Sequence, residues 1–306
     1  MLADKTRMDA YAYALKEVVT PDSVVLDIGT GMGIHALLAC KFGARHVYAV
    51  ESNDAIVLAQ ELAQENNFAD RIEFIQGLST EITLPEKADI IVSDLRGVLP
   101  LFGQHIPSIV DARQRHLAPG GVLLPKRDTL SAGLVEARPV YRNIVKPWDT
   151  PYGLTMNAAK KYVLNSWGDD DIDLFRPQNL LMVPQLWTEL DYSSIENPHI
   201  NGNQIVQQVS RDGTAHGVLM WFDAEIGDGI GFSNAPQSKK ATDVYGRGFF
   251  PLLEPVPLEK GDTVLLDIRT ELVDGQYIWD WHTRITSRGN DSEVKADFYQ
   301  STAKAV

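Results

Sequence analysis

The chain has 306 residues, of which 44% are hydrophobic and 23% charged, a composition typical of a globular protein with one large or two smaller domains. Its 41 acidic and 28 basic residues give a net charge of −13, which argues against nucleic acid as the main partner. A single cysteine, Cys40, excludes a disulfide framework within one chain and makes a cysteine-based zinc site improbable.

No apolar run approaches the length of a membrane-spanning helix, and the N-terminus lacks the apolar core of a signal peptide. We therefore expect a cytoplasmic protein with no membrane partner. His35, His105 and His116 have no second ligand at metal-binding spacing, so we expect them at the surface or at helix caps and predict no metal site.

Residues 1–125 alternate between strand and helix patterns. The strand patterns are Val24–Ile28, Val47–Val50, Ile72–Gln76, Ala88–Ser93 and Gly121–Leu124. The helix patterns are Ile34–Phe42, Asp54–Asn66 and roughly Ile106–Leu117, the last expected to end at the Pro and Gly of residues 118–121. This alternation predicts an α/β fold with a Rossmann-like, doubly wound parallel sheet, whose ligands bind at the carboxyl ends of the strands.

One stretch of this region carries a ligand signal. The apolar run Val24–Ile28 is followed by Gly29, Gly31 and Gly33, and after the next helix a second apolar run ends at Glu51. Glycines let the backbone turn sharply and approach a ligand, and a carboxylate at the second strand tip can accept both hydroxyls of a ribose. The pattern predicts a nucleotide-binding βαβ unit, and the absence of a Lys-Ser/Thr pair excludes a P-loop.

With Asp27 in front of the glycines, the pattern reads D-x-G-x-G-x-G. This spacing resembles motif I of class I methyltransferases that depend on S-adenosyl-L-methionine (SAM). The resemblance implies SAM as the cofactor, S-adenosyl-L-homocysteine as its product, and Asp27 with the three glycines as cofactor-binding residues.

Residues 126–306 have a different character. Short strand patterns with alternating polarity recur there without long helices between them, which predicts an antiparallel, barrel-like β-domain. The strand patterns are Thr129–Val135, Gln204–Val209, Ala215–Phe222, Thr263–Thr270 and Tyr277–Ile285. A helical pattern at Pro151–Trp167, followed by an acidic turn at Gly168–Asp171, interrupts them as a possible projecting arm.

Three further features narrow the class. The N-terminus carries Asp4 and Arg7 followed by Tyr11, the glycine-loop domain precedes the β-domain, and the β-domain contains Trp221–Asp223 and Gly231–Pro236. Together they resemble the protein arginine methyltransferases over nearly the whole chain. The resemblance implies a SAM-binding domain at 1–125 and a substrate and dimerisation domain at 126–306.

Several roles follow from this resemblance by position. Arg7 matches the arginine that pairs with the SAM carboxylate, and Glu51 matches the ribose-binding acid. Ser79 and Thr80 fall where the family contacts adenine, although the family usually has an acid at the second place. Residues of about 149–177 fall where the family has its dimerisation arm, which implies a homodimer.

The catalytic positions depart from the family. Its loop reads Ser-Glu-Trp-Met-Gly with a second Glu further on, and the two carboxylates clamp the substrate guanidinium. Here Asp94 takes the first place, Gly103 the second, and Arg96 stands where Met is usual. The family's Thr-His-Trp aligns near Asp243 and Tyr245, so its histidine is missing. The catalytic candidates are therefore Asp94, Arg96, Asp243 and Tyr245.

Arg96 has two interpretations of equal weight: it binds a carboxylate or phosphate of the acceptor, or it neutralises Asp94 or Asp243. Because one acid is lost and one cation gained, we expect a methyltransferase acting on a non-standard acceptor, a small molecule or a peptide, at nitrogen or oxygen. One alternative is true arginine N-methylation with Asp94 and Asp243 as the acid pair. Another is a non-catalytic, SAM-binding dimeric scaffold.

Overall fold

The computed structural model describes residues 1–170, 174–239, 241–242 and 244–305. The chain divides into two compact units. The first comprises Met1–Asp128, Leu190–Asn197 and Ala224–Phe232, and the second comprises Thr129–Glu189, Pro198–Asp223 and Ser233–Val306. The first unit thus includes two short segments from the second half of the chain, which no sequence pattern indicates.

The first unit is built on a five-stranded parallel sheet with the strand order β3-β2-β1-β4-β5. Its strands are β1 Val24–Ile28, β2 His46–Glu51, β3 Ile72–Gln76, β4 Ala88–Ser93 and β5 Leu117–Leu124. All five residues of β1 are buried, as expected for a central strand covered on both faces. The order reverses between β1 and β4, so the carboxyl ends of these two strands flank the crevice where such sheets bind ligands.

Four helices belong to this unit: α1 Lys5–Val18, α2 Ile34–Phe42, α3 Ala55–Glu65 and α4 His105–Arg115. Helix α2 lies between two left-handed glycines, Gly33 and Gly43, which set both of its ends. Helix α1 was not predicted, because its polar and apolar residues have only a weak helical periodicity. Its N-cap is Asp4, whose Oδ1 accepts a hydrogen bond from the Arg7 N–H at 3.0 Å.

The predicted end of α4 at residues 118–121 is wrong. The helix ends at Arg115, and Pro119 and Gly120 lie inside β5. Gly120 has a φ of 78°, and the register between β4 and β5 shifts after Ala88. Pro119 and Gly120 therefore form an irregularity within the strand. The prediction failed because it treated both residues as helix terminators.

The strands that follow residue 126 form two antiparallel sheets. One has the order β7-β13-β11-β6-β8 with β12 beside β11, and the other has β10-β14-β15-β16 with β9 beside β14. The bounds are β6 Arg127–Val135, β7 Gly168–Asp170, β8 Gln185–Asp191, β9 Ile200–Asn201, β10 Ile205–Gln208, β11 Gly213–Gly227, β12 Ile230–Ser233, β13 Arg247–Leu258, β14 Thr263–Val273, β15 Gln276–Ser287 and β16 Asn290–Ser301. The predicted order of a doubly wound parallel sheet followed by antiparallel β-structure is confirmed.

The core of the second unit is rich in aromatic side chains. Trp279 is buried, and its ring centroid lies 5.7 Å from that of Trp187 and 5.4 Å from that of Phe250. Phe250 also contacts Trp281 edge-on at 5.3 Å. Such offset and edge-to-face pairs stabilise the core beyond the area that they bury.

The predicted helix Pro151–Trp167 is shorter and interrupted. Helix α5 spans Arg138–Val145, a 3₁₀ turn spans Pro151–Gly153, and α6 spans Asn157–Leu164. Thr150 and Tyr152 have φ values of 47° and 54°, which break the helical path. Gly168–Asp170 is the strand β7 rather than a turn, because it pairs with β13, and Asp171 lies outside the described residues. In the part of the chain that the structure describes, no helix is both long and apolar enough to cross a membrane.

Candidate cofactor and acceptor site

The loop between β1 and α2 has a left-handed backbone at all three predicted glycines. The φ angle is 69° at Gly29, 55° at Gly31 and 81° at Gly33. The N–H groups of Gly29 and Thr30 both donate to the carbonyl of Val50, at 2.9 and 3.0 Å, which fixes the loop to the end of β2. No described atom lies within 4 Å of where a Cβ on Gly31 would stand, so the loop is open to a ligand there.

Asp27 lies wholly buried beneath this loop. Its Oδ2 accepts hydrogen bonds from the hydroxyl of Thr30 at 2.5 Å and from the N–H of Ala36 at 3.1 Å. These two bonds join the loop to the first turn of α2, so Asp27 shapes the loop. Its predicted contact with the cofactor stays a prediction.

Glu51 ends β2, and its side chain turns back to the glycine loop. Its Oε1 accepts from the N–H groups of Ser52 and Asn53 and from the Asn53 amide, at 2.7 to 3.2 Å. Its Oε2 accepts from the Gly31 N–H at 2.9 Å. A carboxylate oxygen has two lone pairs, so Oε2 keeps capacity for a ribose hydroxyl beside the open face of the loop.

Ser79 and Thr80 follow β3, the neighbour of β2. The Gly77 N–H donates to the Glu51 carbonyl at 2.9 Å, so the segment begins beside the end of β2. Ser79 is buried, and its carbonyl accepts from the Arg115 guanidinium at 2.9 Å, while Thr80 is exposed. The two residues thus lie in a segment that begins beside the carboxyl end of β2. Their contact with adenine stays a prediction.

Helix α1 brings Arg7 and Tyr11 to the end of β4. The Tyr11 hydroxyl donates to the Ser93 carbonyl at 2.9 Å, which holds the helix against the strand end. The Arg7 side chain is buried, and its guanidinium forms an ion pair with Asp94 through Nε and Nη2. Its Nη1 also lies 3.1 Å from Met8 Sδ. A guanidinium has five donors in a planar fork that matches a carboxylate, so Arg7 stays the predicted partner of the cofactor carboxylate.

Asp94 follows β4 directly and lies between two cations. Arg7 pairs with its Oδ2, and Nη1 of Arg96 lies 3.5 Å from its Oδ1. The next residue, Leu95, reaches the glycine loop: a Cβ added to Gly29 would stand 2.5 Å from Leu95 Cδ2. The structure therefore brings Asp94 to the loop that is predicted to bind the cofactor.

Arg96 continues the cluster into the interior. Its side chain has no exposed surface, its Nε donates to Asp128 Oδ2 at 3.1 Å, and its guanidinium lies 5.4 Å from the centre of the Phe232 ring. Of the two interpretations of Arg96, the neutralisation of a buried acid fits these contacts and the binding of an anionic acceptor does not. The main partner is Asp128, which was not among the candidates.

Two more buried groups extend the network. The Tyr192 hydroxyl donates to Asp128 Oδ2 at 2.6 Å, and His105 Nε2 lies 2.9 Å from the same hydroxyl. Tyr192 has one hydroxyl proton, and the short bond to the carboxylate uses it. His105 must therefore donate from Nε2, and its Nδ1 has no hydrogen-bond partner among the described residues.

Burial is the main cause of the pKa shifts in this network. Desolvation, helped by the nearby charge of Arg96, lowers the pKa of His105 to about 3. Burial also raises the pKa of Asp128, against the opposing effect of Arg96, and raises the pKa of Tyr192 well above its ordinary value. His105 and Tyr192 are therefore neutral at physiological pH.

Three catalytic positions remain, those of Gly103, Tyr245 and Asp243. Gly103 has a φ of 48° and supplies no carboxylate at the place of the family's second acid. Tyr245, in the second unit, is buried, and its ring contacts Phe222 edge-on at 5.4 Å, as a core residue does. Asp243 lies outside the described residues. The catalytic roles of Tyr245 and Asp243 stay predictions.

The expectation of a surface position is wrong for His35, His105 and His116, since all three are at most 4% exposed. The alternative of a helix cap is confirmed for His116, which is the C-cap of α4. His35 packs its ring 4.6 Å from that of Tyr11, and its Nδ1 lies 3.8 Å from Asp27. Isolated histidines in mixed sequence give no sign of burial. Asp128 and Tyr192 were not predicted, because Arg96, the partner of Asp128, is 32 residues away in the chain, and His105, the partner of Tyr192, is 87 residues away.

Comparison with known proteins agrees with this geometry. Residues 9–137 match a model of the ribosomal protein L11 methyltransferase family, and residues 126–276 match a model of the arginine methyltransferase oligomerization subdomain. A protein arginine N-methyltransferase 1 of Schizosaccharomyces pombe is 31% identical over 246 residues, which cover 78% of this chain and 72% of the relative. One of Chlamydomonas reinhardtii is 28% identical over 246 residues, covering 78% of this chain and 70% of the relative.

The fold agrees as well. The structure of Arabidopsis thaliana protein arginine methyltransferase 10 is similar, with a TM-score of 0.83 and 26% identity over 98% of this chain and 95% of that chain. These matches define a SAM-dependent methyltransferase, and SAM is its cofactor. The chain belongs to the protein arginine methyltransferase family.

The described residues fit SAM. The loop is open at Gly31, Glu51 Oε2 has a lone pair to spare, and Arg7 brings a guanidinium to the same strand ends. We expect Glu51 to bind the ribose, the glycine loop to contact the methionine moiety, and Arg7 to pair with the carboxylate.

Proposed function

We propose that this enzyme methylates arginine side chains of a peptide or protein acceptor. The relatives are named protein arginine N-methyltransferases, which favours this reading over the non-standard acceptor that the altered loop first indicated. The observation that carries it is the placement of Asp94, a buried carboxylate at the end of β4 beside the glycine loop. A carboxylate at this point can hold a guanidinium by a charge-assisted hydrogen bond.

In this proposal the protein works mainly by positioning. SAM supplies an electrophilic methyl group when bound. Asp94 orients the acceptor guanidinium so that one nitrogen faces that methyl group in line, and the ion pairs with Arg7 and Arg96 hold Asp94 in place. Gly103 provides no second acid, so we assign that role to Asp243.

Substitution Asp94→Asn tests this assignment. It preserves the size of the side chain but removes its charge, so we expect S-adenosylhomocysteine release from an arginine-containing peptide to fall about a hundredfold or more. The matched control is Asp9→Asn, an exposed acid on α1, which should leave turnover unchanged. Full activity of the Asp94→Asn variant would refute the role of Asp94.

The same assay separates the alternative functions. Release with pooled small metabolites but not with arginine peptides would support a non-standard acceptor. Binding of SAM by calorimetry without turnover on any acceptor would support a non-catalytic scaffold.

We also propose that the chain forms a homodimer through the arm at about 149–177. The matched family model is an oligomerization subdomain and includes these residues. The described part of the arm exposes large apolar side chains, namely those of Tyr152, Leu154 and Tyr162. Exposed apolar side chains grouped on one short segment are typical of an interaction surface.

A further inference from the structure

Helix α5, in the second unit, carries a row of cations on one face. Arg138, Arg142 and Lys146 are spaced four residues apart, and Lys146 continues the helical path with φ −58° and ψ −37°. Side chains at this spacing lie on the same helix face, with a rise of about 6 Å from one to the next. All three are exposed, so the row is accessible to a ligand in solution.

The row lines a cavity of about 670 Å³. The other lining residues are Glu136, Tyr141, Val145, Asp149, Thr214, His216 and Pro255. This volume lies within the range of small-molecule sites, about 300 to 1,000 Å³. The cavity is therefore large enough for a nucleotide-sized molecule.

The two acids of the cavity wall do not neutralise its three cations. Glu136 pairs with Arg211 at 2.9 Å and accepts from the Thr214 N–H at 3.1 Å, and Asp149 pairs with Lys160 at 2.8 Å. Both acids are thus neutralised by cations outside the wall. Arg138, Arg142 and Lys146 have neither an ion pair nor a side-chain hydrogen bond within the described ranges.

Like charges four residues apart repel one another on a helix. The positive charge of the row also contrasts with the net charge of the chain, which is −13. A bound anion would relieve the repulsion, so the feature that destabilises the free helix would favour the liganded state.

The back of the cavity is rigid. His216 is 4% exposed, and its Nδ1 lies 2.8 Å from the Thr214 carbonyl. The ring of Tyr141 meets that of His216 edge-on at 5.8 Å, and its hydroxyl donates to the Leu253 carbonyl at 3.2 Å. A fixed wall costs little ordering when a ligand binds.

We propose that this cavity is a binding site for a small anion that carries a chain of phosphates, such as a nucleoside diphosphate or triphosphate. Arginine forks bind phosphate oxygens in pairs, and lysine binds phosphate as a point charge. A row of three cations matches several linked phosphates better than a single carboxylate. The proposal does not rest on the identity of the methyl acceptor.

Calorimetric titration of the full chain with ATP and with inorganic tripolyphosphate tests the site. The variant Arg138→Gln/Arg142→Gln/Lys146→Gln should bind both more than about tenfold more weakly, because three charged donors are lost. The control variant Lys16→Gln/Lys41→Gln/Lys260→Gln removes the same charge from three exposed lysines outside the cavity wall and outside the arm, and should bind like the wild type.

Thermal unfolding verifies that both variants fold. Absence of binding of either probe to the wild type at low salt would overturn the proposal. Equal weakening in the two triple variants would also overturn it, since it would show attraction to net charge alone. A hepta-glutamate peptide that binds as tightly as ATP would refute the phosphate class and indicate an acidic protein segment instead.

Discussion

Arg96 and Asp128 form an ion pair in which neither side chain has exposed surface, with Nε and Oδ2 3.1 Å apart. Taking two charges out of water is costly, and their mutual attraction has to offset that cost. Tyr192 donates to Asp128, and Arg96 also faces Asp94. The cluster therefore alternates in sign from Arg7 to Asp128, and each carboxylate adjoins a cation.

His105 closes this network and makes stability depend on pH. Its pKa is lowered from 6.5 to about 3, so the unfolded chain takes up a proton near pH 6.5 and the folded chain does not. The free energy of unfolding should therefore fall as the pH drops from 6.5 toward 3, by about 1.4 kcal/mol per pH unit from this group.

The variant His105→Gln should remove that contribution, because glutamine can donate to Tyr192 and does not titrate. Urea unfolding at pH 7 and pH 5 should show the wild type losing about 2 kcal/mol more than the variant. Parallel losses in the two proteins would mean that His105 titrates normally in the folded state.

Among the elements, α1 connects the N-terminus to the site. Asp4 caps the helix by accepting from the N–H of Arg7, the residue whose side chain pairs with Asp94. We expect Asp4→Ala to lower the free energy of unfolding by about 1 kcal/mol. We also expect it to weaken SAM binding several-fold, because the first turn of α1 holds Arg7.

Calorimetry with SAM and thermal unfolding measure the two effects. Asp4→Asn keeps a capping oxygen and serves as the matched control, so it should behave nearly like the wild type. If Asp4→Ala loses stability but binds SAM as the wild type does, Arg7 is positioned by Tyr11 and the strand end rather than by the cap.

At the scale of the whole molecule, the arm determines the predicted assembly. Leu154 is 60% exposed on the arm, and Val206 is 59% exposed on β10, outside it. We expect light scattering to give a mass near twice that of one chain for the wild type, and near one chain for Leu154→Glu combined with Tyr162→Glu. Val206→Glu should remain dimeric, and a monomeric wild type would contradict the proposal.

Much of the fold could be predicted because its elements have strong local patterns. β1, β3, β4 and α2 have the predicted bounds. β1 and β4 are mostly buried, apolar strands, and glycines flank the helix. The patterns failed where tertiary pairing overrode local preference. β5 extends through Pro119 and Gly120, β7 pairs where a turn was expected, and α1 forms despite its weak periodicity.

The sequence by itself determined the cofactor and the family, because the glycine loop and the acid that ends β2 form a short motif whose backbone conformation is encoded locally. Only the tertiary structure decided the partners of Arg96, the burial of three histidines and the cation row facing a cavity. Charges have long-range partners, and whether a cation lies in water, beside a buried acid or in an open cleft depends on which distant segments the fold brings to it.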